Sequence, residues 1–226
     1  MRITCLHTAH SNVSVFDAAA KALGIDAHCL RHEVRPDLLA VAEQAGGLNS
    51  EITGATTSAL LSLAQEADAV LLTCSTLGPV VEELCAHTPI LRTDAALALA
   101  AVQGGGNVAV LCAVATTLEP TARLFQLAAN AVNASVDVQL VEGAWALFKA
   151  GDTDAYLAAI AKAADRAYIE GASIVALAQA SMSPAASRVT AGPAPLTSAT
   201  TGLAAALKAV ADSSAEQPHL LQVRRQ

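Results

Sequence analysis

Apolar and polar positions alternate between two patterns along this chain: short apolar runs rich in β-branched residues, and longer stretches dominated by Ala and Leu. The first reads as strands and the second as helices, and their repeated succession is the pattern of parallel strands joined by crossover helices. Strands are predicted at Arg2–His7, Ala27–Val34, Ala69–Thr73, Pro89–Leu91, Val108–Cys112, Val136–Leu140 and Ile174–Ala178. Helix starts are marked by Ser11 and Asn12, by Asp94, and by Thr116 and Thr117, polar residues able to cap free amides. Gly104, Gly105 and Gly106 form a flexible turn before the Val108 strand, near mid-chain, where a second lobe can begin. They precede a strand, so they are not the phosphate loop of a dinucleotide fold, whose glycines follow one. Ser183–Pro195 reads as a loop crossing back between lobes, followed by a last helix at Ser198–Ala211 and a polar, fraying tail after Ser213.

Composition narrows the function. With 54% hydrophobic and 15% charged residues, the 226-residue chain can bury a sizeable core. Its longest unbroken apolar stretches, such as Val108–Ala115, fall far short of the roughly 20 residues of a membrane span. No secretion signal is read at the N-terminus, so a cytoplasmic location and no membrane partner are expected. A net charge of −7 and 3% aromatic residues argue against nucleic acid as a partner. The five cysteines, Cys5, Cys29, Cys74, Cys85 and Cys112, stand far apart without a C-x-x-C pair and read as reduced thiols.

Context singles out Cys74. It follows the apolar run Ala69–Leu72 and precedes Ser75, Thr76, Leu77 and Gly78, with Pro79 and a helical stretch beyond. A thiol at such a strand-to-helix turn meets the positive end of a helix dipole and free amides, which stabilise thiolate. Ser75 and Thr76 add hydroxyls able to hold a carboxylate or an oxyanion. A second apolar strand ends in Leu177-Ala178-Gln179-Ala180-Ser181, a faint echo of Leu72-Thr73-Cys74-Ser75-Thr76 at the same place relative to its strand.

These residues resemble the aspartate/glutamate racemase superfamily, which includes hydantoin racemase, maleate isomerase and arylmalonate decarboxylase. The resemblance rests on His7-Thr8-Ala9-His10-Ser11-Asn12, Thr73-Cys74-Ser75-Thr76, Val114-Ala115-Thr116-Thr117 and Leu177-Ala178-Gln179-Ala180-Ser181-Met182. It implies two similar Rossmann-like α/β lobes with parallel sheets, residues 1–92 plus 197–226 and residues 93–196, with the active cleft between them. It also implies a homo-oligomer, no cofactor, and a small carboxylate substrate bound by Thr8, Ser11, Asn12, Ser75, Thr76, Thr116, Thr117, Ala180 and Ser181. In that family two cysteines face each other across the cleft, one removing the proton beside a carboxylate and the other delivering one to the opposite face. Cys74 matches the first; the second position reads Gln179, whose amide cannot serve as a proton-transfer base near neutral pH.

One-thiol chemistry stays open: decarboxylation with protonation on one face, or addition of the thiolate to an activated double bond followed by rotation. A non-catalytic carboxylate-binding or regulatory protein is the alternative that Gln179 motivates. His7 sits at a strand end as either an acid–base or a structural residue, and His10 reads as solvated. His28, Cys29 and His32 are spaced for zinc, but His28 and Cys29 point to opposite faces of a strand and no second cluster completes four ligands, so no metal is expected. Glu82 with Glu83 and Asp152 with Asp154 read as solvated or dipole partners, and Trp145 with Phe148 as packing neighbours on a helix.

Overall fold

The computed structural model describes residues 1–223, in which eight strands and eight α-helices follow one another. The chain forms two compact units: residues 1–13, 17–92 and from Gly202 onward, and residues 14–16 with 93–201. The first holds β1 (Ile3–His7), α1 (Ser11–Ala22), β2 (Leu30–Val34), α2 (Pro36–Gln44), α3 (Ser50–Ala64), β3 (Ala69–Leu72) and β4 (Ile90–Arg92), α1 giving its residues 14–16 to the other unit. The second holds α4 (Thr93–Val102), β5 (Gly106–Cys112), α5 (Leu118–Ala129), β6 (Ala134–Leu140), α6 (Ala144–Lys149), α7 (Thr153–Ile169), β7 (Ile174–Leu177) and β8 (Leu196–Thr197). Helix α8 (Ser198–Val223) starts in the second unit and continues into the first.

Each unit is a four-stranded, wholly parallel sheet, ordered β2-β1-β3-β4 in the first and β6-β5-β7-β8 in the second. The two orders are the same permutation, so the echo between the two strand ends is part of a repeated architecture. Central strands covered on both faces carry only buried residues, as Ile3–His7 and Ala69–Leu72 do. Edge strands betray themselves by alternation: β2 buries Leu30 and exposes Arg31 and Glu33. In β5 the period of two sends Ala109, Leu111 and Ala113 into a core with Tyr156 and Ile160 of α7, and Val108, Val110 and Cys112 into another with Leu97 and Phe125 of α4 and α5. The first unit's core gathers Leu6, Leu38, Ile52, Leu60, Val70 and Leu72.

Several local expectations are corrected. Residues 27–29 form a 3-10 turn, so β2 begins only at Leu30 and the argument from opposite strand faces does not apply to His28 and Cys29. Helix α1 opens with His10 at its N-cap and no side-chain cap bond; side-chain caps are instead seen at Asn49 on α3 (from the Ile52 amide, 2.9 Å), Asp152 on α7 (from the Ala155 amide, 3.1 Å) and Thr197 on α8 (from the Thr200 amide, 3.3 Å). The stretch read as loop from Ser183 is wound into a 3-10 segment, Ala180–Arg188, because Met182 and Ala185 are drawn into the core. Strand β8 is missed by pattern because two residues show no period. The tail expected to fray after Ser213 continues as helix to Val223, and residues 224–226 lie outside the described residues. Among the described residues no helix is long and apolar enough to cross a membrane.

Candidate active site

In an open parallel sheet, ligands bind outside the carboxyl ends of the strands where the chain reverses its direction of strand addition. Here the chain leaves β1 to one side for β2 and returns to the other side for β3, and it repeats the move at β5, β6 and β7. The switch points therefore lie between β1 and β3 and between β5 and β7. Cys74 follows β3, with His7 and Thr8 at the end of β1; Gln179 follows β7, with Thr116 and Thr117 beyond β5.

In the first unit the adjacent strand ends are tied by side chains. The Thr73 hydroxyl donates to the Leu6 carbonyl at 3.2 Å and lies 2.8 Å from His7 Nδ1. His7 Nε2 is 2.9 Å from His32 Nδ1, the two rings are stacked, and His32 Nε2 lies 3.1 Å from Asp17 Oδ1. A continuous line of polar atoms thus runs from an exposed carboxylate on α1 to a buried hydroxyl one residue before Cys74. Burial, helped by the neighbouring His32, pushes His7 down to about 4, so its imidazole is neutral at physiological pH. Cys5, on the same sheet face two residues before His7 and in register with His32, is held protonated well above the usual thiol range by burial and by Asp17. Among the described residues, Cys5, His7 and His32 form the grouping with metal-ligand chemistry, their donor atoms all within 4.8 Å of one another. His28 and Cys29 are not in it; His28 is exposed and faces Asp26 at 3.6 Å.

Cys74 is half-buried, one side against the first unit's core. It opens a tight turn closed by the Gly78 amide donating to the Ser75 carbonyl at 3.1 Å, with Ser75 half-buried and Thr76 exposed. The helix expected beyond it is a six-residue 3-10 segment, Gly78–Glu83, that starts four residues after the thiol. A helix dipole acts within its first turn, and here the segment begins beyond the thiol. A Cβ on Gly78 would stand 2.5 Å from the Arg92 guanidinium, which lies over the turn and pairs with Glu82.

In the second unit the Gln179 amide is bonded at both ends. Its Oε1 accepts from the Ala113 amide at 2.7 Å and its Nε2 donates to the Thr117 hydroxyl at 2.8 Å, which in turn donates to the Val114 carbonyl at 2.6 Å. The side chain pins the β5–α5 loop to the end of β7. Thr117 thereby has its hydroxyl occupied, leaving the exposed Thr116 as the outward-facing member of the pair. Ser181 is bonded to the Tyr156 hydroxyl at 2.9 Å, and Ala180 is buried at the start of the 3-10 segment. Thr8 is buried beyond β1, while Ser11 is exposed and Asn12 half-buried at the start of α1. Cys112 is a buried thiol whose ionisation burial opposes, although the Thr121 and Thr117 hydroxyls bond to it. Glu83 is exposed, Glu82 pairs with Arg92 and Asp154 with Arg188, and Trp145 stacks on Phe148, as packing and surface roles require.

Sequence reasoning missed the Asp17–His32–His7–Thr73 line and Arg92. Parallel pairing brings Cys5 beside His32 over 27 positions, a separation that no local motif reveals. The available signal for Arg92 was a basic residue ending a strand that runs parallel to the one before Cys74.

No protein-family model and no curated protein matches the sequence. Solved structures do. The aspartate racemase of Picrophilus torridus superposes with a TM-score of 0.70 at 15% identity, over 93% of this chain and 94% of that one. The fold is that of the aspartate/glutamate racemases. An allantoin racemase from Pseudomonas fluorescens (TM-score 0.61, 18% identity, 93% and 91% covered) and the glutamate racemase of Thermus thermophilus (0.58, 18%, 96% and 81%) share it. At these identities the likeness carries architecture, and chemistry has to be argued from the side chains.

Proposed function

We propose that this protein is a cofactor-independent, racemase-like enzyme acting at the carbon next to the carboxylate of a small acid, with Cys74 as base or nucleophile. The observation that carries the reading is a half-buried thiol in the turn after β3, at a topological switch point of a racemase fold. In this reading the hydroxyls of Ser75 and Thr76 and the amides of their turn hold the substrate carboxylate. They also stabilise the negative charge that spreads onto it when the neighbouring carbon loses its proton or its carboxyl group. Cys74 takes the proton as thiolate, or returns one as thiol. Thr116 offers a further hydroxyl for substrate.

Gln179 supports one-thiol chemistry. Both ends of its amide are committed to Ala113 and Thr117, so its role is to position the β5–α5 loop. A proton taken and returned by Cys74 alone stays on one face of the carbon. That restriction suits an isomerase working by addition and rotation, or a decarboxylase protonating one face, as well as it suits exchange of the α-proton.

The test is turnover of a panel containing aspartate, glutamate, allantoin, hydantoins, maleate and arylmalonates, with wild type and Cys74→Ser. Loss of about a hundredfold or more in the variant is expected on whichever acid is turned over. Undiminished turnover by Cys74→Ser refutes the assignment.

A further inference from the structure

The Asp17–His32–His7–Thr73 line can close in two ways. Asp17, as a carboxylate, can only accept, so His32 presents Nε2–H to it and turns Nδ1 inward. With the Thr73 hydroxyl turned to His7 Nδ1, 2.8 Å away, His7 carries its proton on Nε2 and donates to His32 Nδ1 at 2.9 Å. With that hydroxyl turned to the Leu6 carbonyl, 3.2 Å away, His7 donates from Nδ1–H instead, and both inner nitrogens present lone pairs to one point. The second arrangement is the one a metal ion needs.

The third neighbour favours the metal. Cys5 lies in register with His32 and on the same face as His7, and its sulfur and the two ring nitrogens lie within 4.8 Å of one another. Two imidazoles whose far N–H groups are anchored on a carboxylate and a hydroxyl, plus a thiol, reproduce both the ligands and the outer support of protein metal sites. We propose that Cys5, His7 and His32 bind one soft metal ion, of the zinc(II) or copper(I) kind. Binding is an exchange: the His7 proton moves from Nε2 to Nδ1 as the Thr73 hydroxyl turns to Leu6, the Cys5 thiol releases its proton, and three metal–ligand bonds form without change of oxidation state. Copper(I) is satisfied by three such ligands, whereas zinc seeks a fourth. The side chain of His32, 15% exposed, marks the way in.

The experiment titrates the full-length, reduced protein with zinc(II), and separately with copper(I) under anaerobic conditions, each against a competing chromophoric chelator. One equivalent should bind, with release of about one proton measured calorimetrically in buffers of different ionisation enthalpy. Cys5→Ala and His32→Gln each remove a ligand and should weaken binding by about tenfold or more. A Cys29→Ser/Cys85→Ser variant, lacking the more accessible thiols outside the site, should bind like wild type. Cobalt(II) substitution of the wild-type protein reads the site without any variant: a thiolate-to-cobalt charge-transfer band is expected. Which ion wins the competition distinguishes zinc from copper(I). Absence of stoichiometric binding, absence of the cobalt band, or binding indifferent to both Cys5→Ala and His32→Gln overturns the proposal and leaves the line as hydrogen bonds alone.

Discussion

Gln179→Ala removes the two bonds that fasten the β5–α5 loop to β7. The Ala113 amide, on a residue 3% exposed, loses its acceptor at 2.7 Å, and leaving such a donor unpaired costs about 1–3 kcal/mol. The Thr117 hydroxyl keeps its bond to Val114 and loses only an incoming donor, adding about 0.5 kcal/mol. A total of about 2 kcal/mol follows, which is close to thirtyfold in a local opening constant. Amide hydrogen exchange at Ala113 reads that opening directly and does not require the two units to unfold together. Gln179→Glu separates the two bonds: it keeps an acceptor for Ala113 and lets Thr117 turn its proton to the new carboxylate, so Ala113 should retain most of its protection. If exchange at Ala113 rises less than threefold in Gln179→Ala, the amide is not what holds the loop, and the case for one-thiol chemistry loses its support from Gln179.

Two other outcomes follow from the site's surroundings. Burial raises the Tyr156 phenol from about 10 to about 12, against the partial relief of its Ser181 bond. The unfolded chain therefore releases this proton between pH 10 and 12 while the folded one keeps it, so stability present below pH 10 is lost as pH rises through that window. Urea unfolding across the window should show this slope, and Tyr156→Phe should flatten it; an unchanged slope in the variant counts against the assignment. Gly78→Ala places a methyl group 2.5 Å from the Arg92 guanidinium, which must leave Glu82, costing about 1 kcal/mol by loss of a partly exposed ion pair and shifting the Cys74 turn. Denaturation midpoints of Arg92→Ala and Arg92→Ala/Gly78→Ala should coincide within error if the clash with Arg92 is the whole effect, and a gap between them counts against it.

The alternation of apolar runs with Ala/Leu stretches made the α/β class legible, because β1 and β3 are buried along their whole length and largely apolar. Strand ends were legible too, since Thr73-Cys74-Ser75 breaks an unbroken aliphatic run. Less legible was anything depending on partners far apart in sequence. Gln179 read as a lost thiol, yet its bonds to Ala113 and Thr117 give it a structural employment that only the parallel pairing of β5 with β7 creates. His7 read as ambiguous because its meaning depends on His32 and Asp17, which β2 and α1 bring to it. The expected α-helix after Cys74 failed locally: residues 78–83 make a short 3-10 segment, and the backbone is already extended at Leu84.

The central claim is that Cys74 does the chemistry at the carbon beside a carboxylate, and as a base its sulfur exchanges the proton there. Incubating the accepted acid in D2O and following its α-proton by NMR, with chiral chromatography of the same samples, tests it most directly. The account predicts deuterium entering the α-position with retained configuration in wild type and no incorporation above background in Cys74→Ser. Incorporation that continues unabated in Cys74→Ser contradicts it.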